Sequence, residues 1–167
     1  MWQVKDIPVP ESHYLTEKRQ KRYFHDALTV PLQKSELRPD QIQIAIFSHM
    51  PDWVNNMMAI RNRLVRSLGF NTEGNLMEQT PPERLQEGDQ VGFLSIIHQS
   101  EQDIISYSED KHMQFYLGVS KTDTSAIVST LVNPKTRTGW LYLQFIRPFH
   151  WLIARAVLHN AVKKKRI

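Results

Sequence analysis

The sequence predicts an α+β fold in which a curved antiparallel sheet wraps a long C-terminal helix, with two short helices after the first strand. Three observations predict it. Short β-patterned segments with hairpin-length links fill the chain from Val91 to Val132. Two segments with helical spacing, Pro39–Phe47 and Pro51–Leu68, come before them. The closing stretch from Pro148 to Lys163 opens on a proline suited to a first helical turn. It carries Phe149, Leu152, Ile153, Ala156 and Val157 as a broad apolar stripe that something must cover. A helix of that length runs ~24 Å, about the width of five strands spaced ~4.8 Å apart. A bent antiparallel sheet with one buried face can therefore hold it.

Taken in order, residues 1–20 lack periodicity, and Pro8 and Pro10 favour an extended approach, so they read as a surface arm. Tyr23–Leu32 reads as the first strand, with Pro31 at its end. In Pro39–Phe47, a proline followed by Asp40 makes a favourable first turn, and Ile42, Ala45 and Ile46 share one side. In the stronger helix from Pro51, Trp53, Met57, Ile60, Leu64 and Leu68 recur every three or four positions and are expected to pack inward; Gly69 stops it. Gly74, Pro81, Pro82 and Gly88 mark Asn71–Asp89 as a loop, with a helical turn at PPERL.

The strand run then comprises VGFLSIIHQ, IISYS, the strictly alternating MQFYLGV, and AIVSTLV. A fifth strand is expected around Trp140–Phe145, where Leu141, Leu143 and Phe145 alternate with Trp140, Tyr142 and Gln144. Pro148 would end that ladder and begin the helix.

At 167 residues the chain fits one domain, residues 1–167, with a single core. No apolar run approaches the ~20 residues that cross a bilayer, so no integral membrane association is expected. The start MWQVKDIPVPESHYL lacks the basic, then apolar, pattern of a secretory signal, and a cytoplasmic location fits. Absence of cysteine removes disulfides, thiolate metal sites and thiol nucleophiles together. The net charge of +4 comes from Lys163, Lys164, Lys165 and Arg166; without them basic and acidic residues balance at 17 each. Those four complement the negative end of the last helix, or make weak contact with an anionic surface. Basic residues elsewhere are not interleaved with aromatic ones, so no nucleic-acid partner is expected.

The element order resembles the helix-grip fold of the START-like, birch-pollen-allergen-like (SRPBCC) superfamily. The pieces FSHMPDWVNNMMAIRNRLVRSLGF, EGDQVGFLSI, DKHMQFYLGV and GWLYLQFIRPFHWLIARAVL are similar in sequence and spacing to an uncharacterised DUF-type family of that superfamily. Its marks here are Pro51, Trp53, Arg61, Asn62, Gly69, Gly88, Asp89, His112 and Pro148–His150. Members of that family also occur joined to nucleotide-binding oxidoreductase-like domains, and no glycine-rich phosphate loop appears in this sequence.

The resemblance implies an apolar cavity between sheet and last helix, and with it non-catalytic binding of a small hydrophobic or lipid-like molecule. The expected lining is Phe115, Leu117, Leu143, Phe145, Phe149, Ile153 and Val157, all of which serve equally well as solid core. Arg61, His112 and Tyr116, with Asn62 and His150, are the polar residues set within packing segments, where they could orient a ligand. Structural roles compete: Arg61 pairing with an acidic turn, Asp89 receiving backbone donors, His150 bonding near the helix start. A cyclase- or hydrolase-like enzyme with His112 or Tyr116 as acid or base is one alternative, and an interaction module with a closed pocket another. The seven histidines are scattered and no metal-ligand or cofactor motif is present, so no metal site or cofactor is expected.

Overall fold

The computed structural model describes residues 3–10, 13–72 and 81–167. Its strands are β1 (Lys5–Ile7), β2 (Phe24–Pro31), β3 (Gln90–Val91), β4 (Leu94–Gln99), β5 (Asp103–Glu109), β6 (Met113–Lys121) and β7 (Ser125–Pro134). The helices are α1 (Pro39–Phe47), α2 (Asp52–Val65) and α3 (Arg137–Lys163). The strands form one curved antiparallel sheet in the order β1-β2-β7-β6-β5-β4-β3. This is the α+β, helix-grip arrangement: hairpins carry β3 through β7, and the long α3 returns across the sheet.

Period-two alternation gives the sheet two different faces. Leu28 and Val30 of β2, Ile104 of β5, Leu117 and Val119 of β6 and Ala126 and Val128 of β7 point to one side. There they share a core with Ile42 and Ile46 of α1 and with Val157, Leu158, Ala161 and Val162 of α3. The opposite face carries Ile105, Tyr116 and Leu131, covered by Leu15 from a 3-10 turn, Tyr14–Lys18. The chain end joins the first core: Ile167 is fully buried, and Arg166 bonds the carbonyls of Ala45 and His49. Of the basic run only Lys163, Lys164 and Lys165 stay exposed.

Four expectations need correction. The stretch Trp140–Phe145 is helix, not strand, so α3 has 27 residues and Pro148 lies inside it. Thr136 sets the start by accepting the Gly139 N–H at 3.1 Å as N-cap. Pro148 is tolerated because it sits on the exposed side, where solvent can satisfy the carbonyl its ring leaves unbonded. The five-stranded run survives in number because β3 pairs with β4.

Secondly, the stripe Trp53, Ile60, Leu64 and Leu68 is exposed, and α2 instead buries Val54 and Val65. Thirdly, the expected surface arm contributes β1 and the 3-10 turn, with Val4 and Leu15 buried. Fourthly, Pro81–Leu85 forms no helical turn. Leu85 is buried and donates its N–H to the fully buried Asp40 carboxylate at 3.1 Å. Gly74 of the predicted loop lies outside the described residues.

Candidate functional site

Burial changes along α3. From Arg155 onward four consecutive residues are buried, whereas Leu141, Phe145, Phe149, Trp151 and Leu152 are exposed. Only Gly139 and Leu143 of the first half are buried. The second half of the helix is thus enclosed by the rest of the fold, while much of the first half is exposed and is reached by Arg61 of α2 at Tyr142. Phe115 is only half-buried, although its strand is flanked on both sides by β5 and β7. Met58 of α2 and Ile153 of α3 are likewise half-covered and pack against the same core.

The expected lining therefore divides in three. Leu117, Leu143 and Val157 are solid core, Phe115 and Ile153 are half-covered, and Phe145 and Phe149 face solvent. Tyr116 lies on the other face of the sheet, against Tyr107 at 4.8 Å between ring centroids, so it does not share a site with Phe115. Burial pushes its phenol upward in pKa.

His112 and Arg61 brace the same region. The His112 ring is buried, with Nδ1 2.6 Å from the Thr136 hydroxyl and Nε2 2.5 Å from the Leu68 carbonyl. A carbonyl only accepts, so Nε2 carries a proton. The imidazole rests on Phe70 at 4.6 Å and ties the end of α2 to the cap of α3. Gly139 is needed there because a Cβ would stand 2.4 Å from the His112 carbonyl oxygen.

Arg61 donates from Nε to the Tyr142 hydroxyl at 2.6 Å, and from Nη1 to the Asn62 side chain and the Asn71 carbonyl. Its partners are thus neutral groups of α2, α3 and the following loop, not the acidic turn expected from sequence. His150 bonds Asp26 of β2 at 3.0 Å, well inside α3 and not at its start. Asp89 does receive a backbone donor, Gln86 N–H, at 2.8 Å.

Sequence reasoning missed the histidines of the opposite face. Arg19 donates from Nε to His25 Nδ1 at 3.0 Å, and His13 Nε2 lies 3.2 Å from the Ser129 hydroxyl. Burial, then the Arg19 charge and His13, lower the His25 pKa from 6.5 to about 4, against a smaller opposing effect of Asp26. His13 is lowered too, by burial first, with Asp103 opposing. A protonated His25 can no longer accept from Arg19 and sets two cations side by side.

Because the folded pKa lies below the unfolded one, this stability is fully present above pH 6.5 and is lost as pH falls towards about 4. His25 is partly exposed, so the expected loss is about 1–2 kcal/mol after solvent screening. Urea unfolding across that window should show a shallower pH slope for His25→Gln than for the parent chain; equal slopes would remove His25 from the account.

Two shallow depressions flank Asn71. One is lined by Gln90, Phe93, Tyr107 and Glu109, the other by Arg66, Phe70 and Asp110, and neither gathers the expected ligand residues. Among the described residues no group of histidine and carboxylate side chains has metal-site geometry, and no helix is long and apolar enough to cross a membrane.

No curated protein and no solved structure matches the chain. The family described as "Protein of unknown function (DUF2867)" matches residues 19–157, from just before β2 into the anchored half of α3. That span takes in the sheet from β2 to β7, both short helices and the braces at Arg61, His112 and His150; the chain belongs to the DUF2867 family.

Proposed function

We propose that this protein binds a small hydrophobic or lipid-like molecule, without covalent chemistry, at the open half of the grip, in the manner of a START-like (SRPBCC) domain. The observation that carries the reading is the half-covered Phe115 on a central strand, with Met58 and Ile153 also only partly covered where they pack on the same core. Covering such a floor with an apolar ligand would gain ~25 cal/mol per Å² buried, before association costs. The polar residues near by favour binding over catalysis. Both ring nitrogens of His112 and the Arg61 guanidinium are committed to holding α2, α3 and the Asn71 loop together. Tyr116 is on the wrong side of the sheet for acid–base work in this cleft.

A fluorescent fatty-acid probe titrated into the protein tests this reading. Saturable binding is expected, weakened about tenfold by Ile153→Trp, which fills the mouth, with the melting temperature kept. Absence of saturable binding in the parent chain would refute the proposal, as would unchanged affinity in the variant.

A further inference from the structure

We propose that the outer shoulders of α2 and α3 form a docking surface for an anionic lipid bilayer. This goes beyond the reading above and needs no ligand in the cleft. Helix α2 turns Val54, Met58, Arg61 and Val65 towards the protein. At about 100° per residue, the adjoining shoulder carries Ile60 and Leu64, 60% and 69% exposed, and the 3-10 turn Arg66–Leu68 that follows adds Leu68, 52% exposed. On α3 the inward residues are Gly139 and Leu143. The side of the helix turned away from them carries Leu141, Phe145 and Phe149, which are 68%, 69% and 43% exposed.

The Arg61–Tyr142 hydrogen bond joins the two helices. On each helix the apolar shoulder lies on the side of that bonded residue away from the core. The two exposed stripes therefore lie to the outer side of one contact, Arg61–Tyr142, and together offer six large apolar side chains to solvent.

Charge selects the occupant. Helix α3 contains no Asp or Glu, and α2 contains only Asp52, at its start. The exposed Arg63 lies near Ile60, and the exposed Arg137 lies in the first turn of α3. That turn is the positive end of the helix dipole, where an acidic residue would stabilise; the arginine there is locally unfavourable and fits an external anion. A second copy of this surface would bring arginines against arginines. An anionic bilayer interface complements the charge and receives the apolar stripe, as interfacial amphipathic helices do. The lysines at the end of α3 lie ~28 Å along the helix from Phe145 and are not part of this surface.

Cosedimentation with phosphatidylcholine vesicles containing about a third phosphatidylserine tests the proposal. Binding is expected, about tenfold weaker to pure phosphatidylcholine and weaker again as salt is raised. Leu141→Ser/Phe145→Ser and, separately, Arg63→Glu/Arg137→Glu should each reduce it about tenfold while melting is unchanged. These residues are exposed and outside the core, so the variants should fold. The proposal is overturned by parent chain that stays in solution, by equal binding to neutral vesicles, or by variants that bind as well as the parent. A change in oligomeric mass in the apolar variant, without vesicle binding, would overturn it in favour of a second copy as occupant.

Discussion

Replacing His112 with alanine is expected to lower the unfolding free energy by about 3–4 kcal/mol, although no ligand contact is assigned to this residue. Truncation removes two short hydrogen bonds at once and leaves the Leu68 carbonyl and the Thr136 hydroxyl facing a vacated buried space. It also removes the ring that supports Phe70, itself buried and 4.4 Å from Tyr142 between centroids. The damage thus reaches the Arg61–Tyr142 link and the lie of α2 against α3. Chemical denaturation measures the loss, and probe titration of the variant below its unfolding transition separates the roles. A scaffold residue should leave intrinsic affinity within about twofold. Preserved stability with lost affinity would move His112 from brace to ligand contact.

The second large effect contrasts the two halves of α3. Leu158→Ala is expected to cost about 3 kcal/mol, because Leu158 is fully buried in the core that the sheet and α1 share and its loss leaves a cavity. Phe145→Ala, which removes a larger side chain, should change stability by no more than about 0.5 kcal/mol. Its ring is 69% exposed and lies 5.7 Å from the neighbouring Phe149 ring. Urea midpoints of the two variants decide the matter. Comparable losses would mean that the first half of the helix is gripped as tightly as the second.

What the sequence makes legible follows from how many physical signals coincide at each place. Pro39 and Asp40 fix the start of α1, and Gly69 ends the α2 segment in a left-handed turn at φ 86°, a conformation glycine adopts freely. The strict alternation of β6 assigns its two faces correctly, so Phe115 and Leu117 could be placed together from sequence. The same alternation separates Tyr116 from them.

Where two periodicities overlap, pattern alone chooses wrongly. Leu141, Leu143 and Phe145 satisfy a strand, while Leu141, Phe145 and Phe149 satisfy a helix. The Thr136 cap, four residues before the apparent strand, decides for the helix. In α2 the larger apolar stripe lies one residue out of register with Val54, Met58 and Val65, and a rule that buries the larger residues misplaces it. The first residues carried too little pattern to reveal β1, whose Asp6 is held by the buried Arg155 guanidinium across 149 positions of sequence. The His25–Arg19 contact likewise depends on a turn that no periodicity marks.

Hydrogen exchange along α3 tests the central claim most directly. Amides from Ala156 to Val162 should exchange only through global unfolding, while those from Leu141 to Leu152 open locally at markedly lower free energy and slow when an apolar ligand is added. Uniform protection along the helix, indifferent to ligand, would contradict a sheet that anchors one half and leaves the other open for recognition.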